Sequence, residues 1–262
     1  QVDGSSIVSL LGLKLDHSRN EFQFDLDEKF EQFDADADKI TRRDIVSLAA
    51  QVFDTQGYVA PFVMQYKRIL PLLWSNNTGW DENLLTKTID VDGKQVPCPV
   101  AKEAVDCFQS WIKQVHLLKE LRFPRYLGGR IDFVAIFGDA SKAGMGVAAY
   151  GVARLPNGKL QSQLLFAKSS LMPKNLRNKE DLLTIAKAEL IALLMAVNMG
   201  NYLQDTFKPV LSSRNTVYFT DSLLNLQRVQ RGKGKCKPWE ERRLIKILDN
   251  KQDSEVKFCP GV

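Results

Sequence analysis

The sequence predicts an α/β fold, a mixed five-stranded sheet with flanking helices, preceded by a mainly helical region that opens on a small β-hairpin. Three observations predict it. From residue 130 onward the pattern reads β-β-β-α-β-α-α-β. Between residues 36 and 129 the apolar positions recur at helical spacing. Before that, Ser9 to Asp16 and Glu21 to Leu26 alternate as two paired strands do.

The elements follow in chain order. Asp34, Asp36 and Asp38 form an acidic turn, with Lys39 and Ile45 where a calcium loop requires Gly and Glu, so the turn reads as a solvated helix start. Thr41 reads as an N-cap, followed by Ile45, Leu48, Ala49, Val52 and Phe53 on one helical face. A second helix is expected over 62–74 and a third over 101–119. Residues 75–100 read as irregular, with a turn at Asp92-Gly93, and 124–129 as a linker. Strands are then expected at 131–137, 145–153 and 160–168, and a long helix at 181–199. A strand at 216–220, a helix from Ser222, a Gly- and Lys-rich loop at 231–237, a helix at 239–249 and a strand at 254–259 complete the chain.

That order brings three carboxylates together. The helix at 181–199 is long enough to cross over and set strand 216–220 parallel to strand 131–137, and such crossovers are right-handed. The C-terminal ends of the two strands then lie side by side, with Asp139 and Asp221 facing one crevice, where open α/β sheets bind ligands. Leu183, Ala186, Leu190, Leu193, Leu194 and Val197 would seat the helix on the sheet and aim Glu189 at the same place. Three converging carboxylates repel one another unless a cation neutralises them, which points to a hard-metal site and phosphate chemistry. Each residue alone has a plainer reading, as an N-cap for either aspartate, and as a neutral core glutamate or a rim residue for Glu189.

Composition narrows the classes. The chain has 262 residues, 44% hydrophobic and 26% charged, with a net charge of +5, which suits an anionic partner. Cys98, Cys107, Cys236 and Cys259 form no CxxC pair and only His17 and His116 are present, which argues against structural zinc and for reduced thiols. The longest apolar segment, Ala188 to Met199, is too short to cross a bilayer, so no membrane role is expected. The chain opens on Gln1 and stops after Cys259-Pro260-Gly261-Val262, which reads as a piece of something longer. The densest basic cluster is Arg228, Arg231, Lys233, Lys235, Lys237, Arg242 and Arg243, with Trp239 interleaved, a composition that grips phosphates and stacks on bases.

Gly138-Asp139-Ala140-Ser141, Ala188-Glu189-Leu190 and Thr220-Asp221-Ser222 resemble the active-site motifs of ribonuclease H domains. Upstream, Leu11 to Asp16, Thr41 to Ile45, Val52 to Pro61, Leu73-Trp74, Trp80-Asp81 and Pro124 to Leu127, with Lys237-Pro238-Trp239 downstream, resemble the Bel/Pao retrotransposon polyprotein after the polymerase palm. The resemblance implies three regions: the end of a reverse-transcriptase palm at 1–35, a thumb/connection-like helical region at 36–129, and a ribonuclease H-like domain at 130–262, truncated at its C-terminus. It implies cleavage of the RNA strand of an RNA·DNA hybrid with two Mg²⁺ ions, or Mn²⁺, about 3.5–4 Å apart. Asp139 would bridge both ions, Glu189 would hold one and Asp221 the other. Ser141 and Ser222 would reach a 2′-hydroxyl or the backbone, and Arg231, Lys233, Lys235, Lys237 and Trp239 the nucleic acid. It further implies the rest of the polyprotein, polymerase and integrase, as partners, and a place in a cytoplasmic virus-like particle or the nucleus.

The sequence also departs from that pattern. No Tyr-x-Asp-Asp-type polymerase motif is present, Asp54-Thr55 is followed by Gln56 where a protease would have Gly, and the fourth carboxylate of ribonuclease H sites has no counterpart. A non-catalytic nucleic-acid-binding remnant is therefore the alternative. An actin-like ATPase shares the strand order, but Thr220 to Leu224 lacks the glycines of its second phosphate loop.

Overall fold

The computed structural model describes residues 7–10, 12–26, 28–75, 77–173, 185–208, 210–234 and 236–260. The chain divides into two compact units, one of residues 1–55 and 59–126, the other of 56–58 and 127–262.

The first unit begins with strands β1 (Ile7–Leu10), β2 (Leu13–Asp16) and β3 (Glu21–Phe24), which form an antiparallel meander. A short helix α1 (Lys29–Gln32) precedes α2 (Arg42–Ala49). Thr41 caps α2 as its sequence predicts: its hydroxyl accepts from Asp44 N, and the Asp44 carboxylate accepts in return from Thr41 N at 2.9 Å. Helices α3 (Ala60–Ser75) and α4 (Pro99–Val115) bury Ile69, Leu73, Val105, Phe108 and Trp111. Residues 88–97, read from sequence as irregular, form the hairpin β4 (Thr88–Val91) and β5 (Lys94–Pro97) around the expected Asp92-Gly93 turn. The segment read as a linker contributes β6 (Phe123–Pro124), which pairs with β3.

The second unit carries the five-stranded sheet. Strands β7 (Ile131–Ala140), β8 (Gly144–Arg154) and β9 (Leu160–Leu171) form an antiparallel meander. Helix α5 (Ile185–Thr206) leads to β10 (Thr216–Thr220), parallel to β7, and α6 (Leu223–Arg231) and α7 (Pro238–Lys251) lead to β11 (Glu255–Phe258), parallel to β10. The order across the sheet is β11-β10-β7-β8-β9. Strand β7 runs three residues further than its apolar run predicts, so Asp139 lies within the strand, opposite Gly146.

One core holds these layers together. Val134 and Ile136 on β7, Val147 and Ala149 on β8 and Tyr218 on β10 pack against Leu190, Leu193, Ala196, Val197 and Leu203 of α5 and Leu244 and Ile247 of α7. Leu190, Leu193 and Val197 thus do what their spacing predicts, Leu194 packs from the margin, Ala186 is half-buried, and Leu183 lies outside the described residues. Among the described residues, no helix is long and apolar enough to cross a membrane.

Candidate active site

The geometry of the site follows from strand register. Phe219 pairs with Phe137, so two residues further on Asp221 reaches the level of Asp139 on the neighbouring strand. Glu189 comes from α5, which approaches β7 closely because Gly138 has no side chain. A Cβ there would stand 2.7 Å from the Ala192 carbonyl oxygen and 3.3 Å from the Ala196 methyl. Glu189 lies one turn before Ala192. All three acid-bearing segments therefore meet at the same end of the sheet.

The side chains are less converged than the segments. Asp139 and Asp221 are exposed and Glu189 half-buried, so neither aspartate carries the burial cost that would by itself demand a cation. Strand alternation turns Asp139 away from the row that faces α5, and its Oδ1 accepts from Ala140 N at 2.7 Å. Among the described residues, no three Asp, Glu, His or Cys side chains form a group that could hold a metal ion. Asp139, Glu189 and Asp221 offer carboxylate oxygens, the chemistry that Mg²⁺ takes. A Cβ on Gly146, opposite Asp139, would meet nothing within 4 Å, so there is open space beside that carboxylate.

The two serines differ. Ser141 is exposed in the β7–β8 turn, where its backbone N–H donates to Gly144 O at 2.8 Å. Ser222 is buried and caps α6: its Oγ accepts from Asn225 N at 3.5 Å and from Asn225 Nδ2 at 3.0 Å. Asn225 was not singled out by sequence reasoning, yet it is fully buried and spends every polar group of its carboxamide. Nδ2 also donates to Ala186 O at 2.8 Å, and Oδ1 accepts from Arg228 Nη1 at 2.8 Å. An Asn three residues after an N-cap Ser was the only available signal.

In the basic segment, Arg231, Lys233 and Lys237 are exposed, and Lys235 lies outside the described residues. Lys233 pairs with Asp249 at 3.1 Å, and Gly234 N donates to Glu241 Oε1 at 2.6 Å, pinning the loop to α7. Trp239 is half-buried against the core, with the Arg243 guanidinium 3.5 Å from its ring centre and the Lys187 ammonium 5.6 Å away. Desolvation lowers the Arg243 pKa from its ordinary value. These contacts tie the start of α7 to the first turn of α5.

A three-stranded antiparallel meander extended by two parallel strands, with the first crossover helix on the sheet, defines a ribonuclease H-like protein. The model of the family described as "Pao retrotransposon-like RNaseH-like domain" matches residues 41–222, and the chain belongs to that family. Solved structures of a foamy viral protease-reverse transcriptase share the fold. One in complex with double-stranded DNA has a TM-score of 0.54 at 13% identity, covering 98% of this chain and 45% of that one. Another, in complex with an RNA/DNA hybrid, has a TM-score of 0.50 at 13% identity, covering 98% and 29%. The chain thus spans less than half the length of these structures. No curated protein sequence matches it.

Proposed function

We propose that this chain is a segment of a retrotransposon reverse transcriptase whose second unit cleaves the RNA strand of an RNA·DNA hybrid. In this reading residues 1–35 end the polymerase palm, 36–129 form the thumb and connection, and 130–262 form the nuclease. The observation that carries it is the β7–β10 register, which sets Asp139 and Asp221 level on adjacent strands beside the α5 turn bearing Glu189. Family membership and the likeness to a reverse transcriptase that binds hybrid support it.

Asp139, Glu189 and Asp221 would hold two Mg²⁺, or Mn²⁺, between them. When bound, the ions would activate water and neutralise charge on the departing 3′ oxygen. The residues of the chain do the rest. Asp139 is free to leave the Ala140 N–H and turn into the open space beside Gly146, since an exposed carboxylate loses little in exchanging one backbone hydrogen bond for a stronger partner. Arg231, Lys233, Lys235 and Lys237 would grip phosphates, and Ser141, at the rim, would meet the ribose. Trp239, already stacked by Arg243, would hold that basic group in place rather than stack on a base. Ser222, whose hydroxyl is committed to Asn225, would shape the loop after β10.

That no three Asp, Glu, His or Cys side chains among the described residues form a metal-holding group favours one second reading, a nucleic-acid-binding remnant without catalysis. A cleavage assay distinguishes the two. An end-labelled hybrid is incubated with the chain, and with one extended past Val262, in Mg²⁺ or Mn²⁺. The nuclease reading expects RNA cleavage by at least one of them, lost by at least about 100-fold in Asp139→Asn and Asp221→Asn. Hybrid binding without cleavage in either would establish the remnant.

A further inference from the structure

We propose that Asn225 is a positioning residue, whose carboxamide clamps the first turn of α5 to the loop after β10 and thereby sets the spacing of Glu189 and Asp221. This rests on the site proposed above. Ser222 immediately follows Asp221, and Ala186 lies one turn before Glu189. The two Nδ2 protons of Asn225 divide between these segments, one to Ala186 O at 2.8 Å and one to Ser222 Oγ at 3.0 Å. The orientation of the amide is decided by chemistry: Ala186 O only accepts and Arg228 only donates, so the nitrogen must face α5 and the oxygen must face Arg228.

The residue type fits this task better than a packing task. Asn225 is 0% exposed at a helix position where an apolar side chain would cost nothing to bury. An amide there is tolerated because every one of its polar groups has a partner. The direct contacts of α5 with β10, Gln204 with Thr216 and Gly200 with Tyr218, lie away from the acids, whereas the clamp acts at the end that carries them. Chain connectivity leaves the α5 N-terminus and the β10 C-terminus free to separate, and a ligand set drawn from both tolerates little looseness. The Lys187–Trp239–Arg243 contact ties the same helical turn to α7, but it does not reach Asp221.

The test uses the 262-residue chain and two variants. Asn225→Leu keeps the number and branching of the side-chain heavy atoms, at somewhat greater bulk, and removes the side-chain hydrogen bonds. Asn225→Asp keeps the shape and the Arg228 contact but cannot donate to Ala186 O. Amide hydrogen exchange in metal-free buffer reads the clamp, and Mn²⁺ titration by electron paramagnetic resonance reads the site. The expected result is faster exchange confined to the start of α5 and the loop after β10. A fall in Mn²⁺ affinity of about 10-fold or more should accompany it, at little change in Tm. Unchanged exchange at both segments in whichever variant folds overturns the proposal. So does an affinity loss no larger than the fall in Tm explains. If the wild-type chain binds Mn²⁺ no better than Asp221→Asn, the metal-site reading fails, and the exchange data alone then decide whether Asn225 joins the two segments.

Discussion

The hydroxyl of Tyr218 sits directly on Gly200, with no room between them for a methyl group. Tyr218 is fully buried on β10 and Gly200 lies in the middle of α5, so this contact sets how closely the crossover helix approaches the central strands. Alanine is better than glycine in a helix by about 1 kcal/mol. Overpacking a core costs about 1–3 kcal/mol. Steric cost should win, because the obstructing atoms belong to a stiff ring. Gly200→Ala is expected to destabilise the chain by about 1–2 kcal/mol in chemical denaturation. Adding Tyr218→Phe should recover part of that loss, and a purely additive double mutant would show that the two residues do not touch.

The same tyrosine predicts an alkaline limit to stability. Burial pushes the Tyr218 phenol up to about 12, against about 10 in an unfolded chain. Its folded pKa is raised, so the stability it contributes is complete below pH 10 and is lost as pH rises from 10 toward 12, where only the unfolded chain releases the proton. The slope is about 1.4 kcal/mol per pH unit at its steepest. Tyr218→Phe should flatten the stability profile between pH 10 and 12. An unchanged slope in the variant would assign the alkaline loss to other groups.

Gly138 and Gly146 make a paired test of which glycine the site needs. Gly138→Ala sets a methyl against the Ala192 carbonyl and should cost about 1–3 kcal/mol by driving α5 from β7. Gly146→Ala faces open space and should change stability by less than about 0.5 kcal/mol. If the site takes nucleic acid beside Asp139, Gly146→Ala should nonetheless weaken hybrid binding or cleavage. Equal stability losses in the two variants would refute the packing argument.

The basic segment predicts the salt dependence of hybrid binding. Lys233→Ala, Lys235→Ala and Lys237→Ala together should flatten the plot of log affinity against log salt by about 0.9 for each phosphate contact removed. The ion pair of Lys233 with Asp249 is at the surface and worth little, so Tm should hardly move. A slope identical to that of the unmodified chain would remove these lysines from the interface.

Most of the second unit is legible in the sequence. The strands expected at 131–137, 145–153 and 160–168 are β7, β8 and β9; β8 is largely buried, β7 is buried through its middle, and β9 is mostly half-buried. The length of the following helix and the handedness of crossovers sufficed to make β10 parallel to β7. Less of the first unit is legible there. The strands at 88–91 and 94–97 are almost wholly exposed and pair only with each other, so no buried face marked them, although the Asp92-Gly93 turn did.

By itself, the sequence determined the order of the elements in the second unit, the family and the strands that lead to Asp139 and Asp221, because those follow from local patterns and short motifs. Only the tertiary structure decided how those acids are presented. Whether Asp139 is buried or open, which way it turns from its strand, and which residue joins the first turn of α5 to the loop after β10 depend on close approaches between segments remote in the chain. Gly138 against Ala192, Gly200 beneath Tyr218 and Asn225 between Ala186 and Ser222 are contacts of this kind. Periodicity marks which face of an element is buried, but not what it meets there.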